Sequence, residues 1–152
     1  MPTLDDHLNA VPIADAKPSD RPHILAWDDC DDDGLEKLRF RHGTFRAHYS
    51  QDLIQRHQAQ SASSYLHLHN RIDREIQALR HLVEVSPLSY VQLEELDRLI
   101  TYLAVTDSSA LDLFWQKLID LRQLPKRLWI ILPRTLIPHN WPPDRLHTLN
   151  TP

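Results

Sequence analysis

Ten histidines, a single cysteine and a run of aspartates behind a tryptophan are the residues of this 152-residue chain most able to do chemistry. The histidines stand at positions 7, 23, 42, 48, 57, 67, 69, 81, 139 and 147. A helical metal site needs ligands three or four residues apart, so that their donor atoms converge on one point. No two histidines have that spacing. His69 with Asp73 and His81 with Glu84 do, but on a charged helix face where such pairs arise by chance. The run from Asp29 to Gly34 has the start of a calcium loop. That loop requires a bidentate glutamate at its twelfth position, and here the position holds Phe40. A helix start accounts for the same residues better, with Asp33 as N-cap, Glu36 three residues on, and acids facing the helix's positive end. Those acids also raise the pKa of Cys30, which makes it a poor nucleophile. There is no G-x-S-x-G elbow and no phosphate loop, and Glu94 and Glu95, read as helical, face apart. The sequence therefore predicts no catalytic, cofactor-binding or metal-binding residue, and no cofactor.

Recognition is the other use for such residues. Trp27 followed by Asp28, Asp29, Asp31, Asp32 and Asp33 has the build of a docking segment, in which the ring buries and the acids steer. Trp141, among prolines near the C-terminus, is a second anchor of this kind. The alternative is that Ile24, Leu25 and Trp27 simply staple the segment onto their own domain. The partner expected is another protein with a basic surface, or a second copy of the chain.

Charge is distributed to match. Residues 1–33 carry nine aspartates against Lys17 and Arg21, whereas residues 34–152 carry fifteen Lys and Arg against twelve acids. Nucleic-acid binding wants many basic contacts on one face, which the body does not offer. One cysteine excludes an intramolecular disulfide. The N-terminus lacks a basic-then-apolar signal, and no apolar run approaches the ~18 residues of a membrane span. A cytoplasmic protein with no membrane contact is expected.

The elements that must position these residues are read from periodicity. Tyr65, Leu68, Ile72, Ile76, Leu79 and Val83 recur at the helical repeat, so residues 64–85 are expected as the organising helix. Leu35, Leu38, Phe45, Tyr49 and Leu53 predict another over 35–58, with Gly43 as a kink or break. Leu93, Leu96, Ile100 and Leu103 predict a third over 89–106, and Leu111, Phe114, Leu118 and Leu121 a fourth over 108–124, capped by Asp107 or Ser108. Residues 57–64 are left open between a turn and continuous helix. The apolar run 126–132 reads as strand or helix equally well. Two glycines, against a usual ~7 % share, argue against nucleotide-binding α/β folds and hairpin-rich β folds. Eleven prolines lie outside 23–86 and 88–124, apart from Pro87 between them, leaving two blocks for helices.

The expected fold is mostly α: a small bundle of about four helices. An acidic leader (1–33), weakly structured, precedes the helical domain (34–132), and a Pro-rich extension (133–152) wraps it. The expected function is a non-enzymatic protein–protein interaction module, such as an adaptor, assembly factor or scaffold subunit, with self-association included. Two alternatives stand beside it. One is a winged-helix DNA regulator, from the order helix, turn, helix, strand after Leu93. The other is a metal-dependent enzyme with an unsigned site inside the bundle.

Overall fold

A computed structural model describes residues 3–58 and 68–149. The chain is an α/β protein rather than a helical bundle. In order it forms α1 (Leu4–Asn9), β1 (His23–Ala26), α2 (Asp32–His42), β2 (Phe45–His48), α3 (Tyr49–Gln58), α4 (Ile72–Glu84), β3 (Tyr90–Glu94), α5 (Leu96–Thr106), α6 (Ser108–Asp120), β4 (Arg127–Leu132) and β5 (Leu146–Thr148). The strands make one parallel sheet in the order β2-β3-β4-β1-β5.

Parallel strands lie between two helical layers, and their side chains alternate between two cores. On one face Leu25, Trp27, Trp129 and Ile131 meet Leu8 of α1 and Leu38 of α2. On the other, Ile24, Leu128, Ile130 and Leu132 meet the apolar stripes of α4, α5 and α6. The organising helix holds where it is described: Ile72, Ile76, Leu79 and Val83 are all buried. Its expected beginning at residues 64–67 lies outside the described residues, as does most of 57–64.

Three of the expected helices need correction. The one over 35–58 ends at His42, because Gly43 takes a left-handed conformation (φ 66°) and caps it, and the chain then runs into β2 and α3. The one over 89–106 begins only at Leu96, since Tyr90–Glu94 is β3, a central strand whose side chains beyond Tyr90 are all buried. The fourth stops at Asp120. Residues 127–132 are strand β4, and they lie inside the sheet between β3 and β1 rather than forming a wing. The N-terminal segment is no separate leader. It supplies β1, hydrogen-bonded between β4 and β5, so the boundary expected at 33/34 falls within one sheet, and β5 draws residues 146–148 into the same sheet.

Topology then creates a particular place. The chain leaves β1 and crosses to the far edge at β2, steps back through β3 to β4, and from β4 passes over β1 to β5. Neighbouring strands β4 and β1 thus send their outgoing connections in opposite directions. Such a reversal opens a crevice at the carboxyl ends of the strands, where open α/β sheets hold their ligands.

Candidate functional site

A crevice of about 360 Å³ lies at that reversal, lined by the ends of β1, β3 and β4 and the residues that follow them. Its apolar lining includes Trp27, Leu35, Ile131 and Leu132, and its polar lining includes Asp29, Cys30, Glu94, Glu95, Asp97 and Arg98. Each wall turns sharply without glycine: Asp29 after β1 and Glu95 after β3 have φ of 54° and 74°. Non-glycine residues in this region carry strain, which concentrates at functional sites. Gly34 is required for packing. A Cβ there would come within 2.8 Å of the Trp27 ring, so the first turn of α2 can lie against the indole only without a side chain.

Beneath the rim a polar network fixes one wall. Arg46 of β2, largely buried, donates from Nε and Nη2 to the two carboxylate oxygens of Glu94 at 2.6 and 2.7 Å. It also donates from Nη1 to Glu36 at 2.9 Å and from Nη2 to Asp32 at 2.8 Å. Such a two-pronged arginine–carboxylate pair combines strength with fixed geometry. Glu94 accepts a further bond from Gln92 Nε2 at 3.1 Å, and Gln92 in turn accepts from Thr44 at 2.8 Å. The hydrogen bond from Arg46, then that from Arg39, holds the Glu36 carboxyl below the usual range. His48 Nδ1 lies 3.2 Å from Glu95, which also pairs with Arg98 at 3.4 Å.

The expected docking residues are distributed differently from their sequence pattern. Trp27 is 3 % exposed and Trp141 4 %, so both rings are covered by their own chain. Four of the five aspartates are engaged. Asp28 accepts from the Arg134 backbone and side chain, which hold its carboxyl below the usual range. Asp31, rather than Asp33, is the N-cap of α2, accepting from Gly34 N at 2.8 Å. Asp32 meets Arg46, and Asp33 meets Lys37 at 3.4 Å. The Asp29 carboxylate alone of the five has no hydrogen bond or ion pair among the described residues, and the Asp97 carboxylate across the sheet reversal is in the same condition.

Cys30 sits in the crevice as a thiol. Burial first, then the charges of Glu94 and Asp31, push its pKa up to about 12. Too little thiolate forms near neutral pH for nucleophilic attack. Among the described residues no three His, Cys, Asp or Glu side chains are arranged to hold a metal ion. No helix among them is long and apolar enough to cross a membrane.

Comparison with protein-family models, curated proteins and solved structures finds no match. The functional reading therefore rests on the crevice. Sequence reasoning missed Arg46, Glu95, Asp97 and Arg98 as its parts. One signal was present: acids at Glu94, Glu95 and Asp97 directly follow the apolar run of β3, the position a parallel strand gives to its ligand-facing end.

Proposed function

We propose that the chain is a non-enzymatic recognition module that takes a basic side chain of a partner protein into the crevice at the ends of β1, β3 and β4. The observation that carries this reading is the pair of carboxylates, Asp29 and Asp97, which line an apolar-floored crevice without partners of their own among the described residues. An apolar floor suits the methylene stem of lysine or arginine, and the carboxylates suit its cationic head. A volume near the lower end of the ~300–1,000 Å³ range of ligand pockets fits one side chain better than a large cofactor. The excess of acid in residues 1–33 steers a basic partner toward the same edge.

The test is a calorimetric titration with a short capped lysine peptide, with its acetyl-lysine counterpart as the uncharged control. The charged peptide binds, added salt weakens it, and the acetylated form does not bind. Changing Asp29→Asn and Asp97→Asn together lowers affinity on the order of tenfold, from about 0.5–1 kcal/mol per partly exposed ion pair. Asparagine tolerates the left-handed backbone at position 29, so the first change leaves the loop intact. Equal affinity in the double variant overturns the reading. Spermidine serves as a second arm: binding tighter than the peptide reassigns the site to a free polyamine.

A further inference from the structure

Two walls form the crevice, and no strand pairing joins them directly. One is the end of β1 with its loop to α2, carrying Trp27, Asp29, Cys30 and Leu35. The other is the end of β3 with the start of α5, carrying Glu94, Glu95, Asp97 and Arg98. In the sheet β4 stands between β1 and β3, so backbone pairing sets the spacing of the strands but not of the loops beyond them. Arg46 spans that gap. Its guanidinium binds both oxygens of Glu94 on the second wall, and Asp32 and Glu36 in the N-terminal half of α2 on the first. The loop between is tied at its other end by Asp28 to Arg134. Gln92 adds a weaker link of the same kind, from β3 to the Leu35 carbonyl at 3.1 Å.

We propose that Arg46 is a positioning residue for the crevice, clamping the β1–α2 wall to the β3–α5 wall and so fixing where Asp29 stands relative to Asp97. It touches no ligand. It uses up the charge of Glu94, which leaves Asp29 and Asp97 as the carboxylates free to meet a cation. The consequence for binding rests on the function proposed above, but the clamp itself is tested without a ligand.

The chain carries its own reporter. Cys30 is the sole cysteine, half-buried in the clamped loop. Its alkylation by iodoacetamide reads how closed that loop is. The sign of the effect is diagnostic, because the Arg46 cation favours the thiolate. Losing that charge alone slows alkylation. Opening of the wall exposes the thiol and speeds it. In the full-length chain, Arg46→Met is expected to react on the order of tenfold faster than the wild type, and Arg46→Lys, which keeps the charge but cannot form the two-pronged bond, a few-fold faster. Leu79→Ala, a destabilising change in the opposite core, is expected to leave the rate near wild type.

An Arg46→Met rate no faster than wild type overturns the clamp. An equal acceleration in Leu79→Ala also overturns it, since the thiol is then reached by general loosening. If Arg46→Met does not fold, Arg46→Lys decides, and an unchanged rate overturns the proposal. Failure of the lysine peptide to bind the wild type would refute the proposed function while leaving this readout intact. Where the peptide does bind, Arg46→Lys weakens it even though every crevice carboxylate is retained.

Discussion

Replacing Trp27 with alanine separates a docking segment from a structural strand. An indole held out for a partner contributes little to its own domain, and its loss changes stability by no more than about 0.5 kcal/mol. In the structure Trp27 is 3 % exposed, packs with Leu25, Leu38, Trp129 and Ile131, and donates its backbone N–H to the Leu132 carbonyl at 2.8 Å. Truncation removes the ring from a packed core where Gly34 leaves no slack for collapse, so a cost of about 3–5 kcal/mol is expected. That is a large part of the 5–15 kcal/mol typical of a domain. With a urea dependence of about 2 kcal/mol per molar, the midpoint falls by roughly 1.5–2.5 M. Far-UV circular dichroism in urea measures it without relying on tryptophan fluorescence. A midpoint within about 0.3 M of wild type would refute the placement of β1 in the sheet.

Other outcomes follow from particular groups. His23, buried and donating Nε2–H to the Pro18 carbonyl, has its pKa lowered by burial from the ordinary 6.5, as does His147. Both stay neutral in the native chain while the unfolded chain takes up protons, so stability is lost as pH falls below 6.5 toward the lowered values. Urea midpoints at about pH 7.5 and 5 should show the drop, and His23→Gln should reduce it. Glu75, 1 % exposed, accepts from Tyr49 Oη and from Arg56 at 2.8 and 3.0 Å. Glu75→Gln removes one of the two carboxylates that Arg56 pairs with, leaving Asp52 at 2.8 Å, and costs about 1.5–3 kcal/mol in thermal unfolding. Gly43→Ala costs about 1 kcal/mol by forcing a side chain into the left-handed cap of α2, although no atom would touch the added methyl.

The helices α4, α5 and α6 were legible because each buries one stripe at the helical period, and Ile72, Ile76, Leu79 and Val83 lie where that period puts them. The strands were not, for a physical reason. A parallel strand covered on both faces shows no polar alternation, so HILA read as an apolar island and YVQLE as the start of a helix. FRAH disappeared into the stripe running from Leu35 to Leu53, because Gly43 read equally as a kink within one helix or as its end, and nothing in the stripe marked a strand beyond it. The scarcity of glycine misled more deeply. Parallel sheets need no hairpins, and here Asp29, Glu95 and Gln123 adopt the positive φ that glycine usually supplies. Two of those three are in the candidate site, so the residues that hid the fold also mark its crevice. Of that crevice, the aspartate run was visible in the sequence. Its partners were not, because Arg46 reaches Glu94 across 48 residues.

Mapping by NMR decides whether the crevice at the ends of β1, β3 and β4 takes up a cationic side chain. Amide shifts of the isotope-labelled chain are followed as the capped lysine peptide is added. Saturable shifts are expected at Trp27–Leu35, Glu94–Arg98 and Ile131–Leu132, and should vanish with Asp29→Asn and Asp97→Asn combined. Shifts confined to the separate surface around Arg56, Arg74 and His81, or no saturable shift at all, would contradict that uptake.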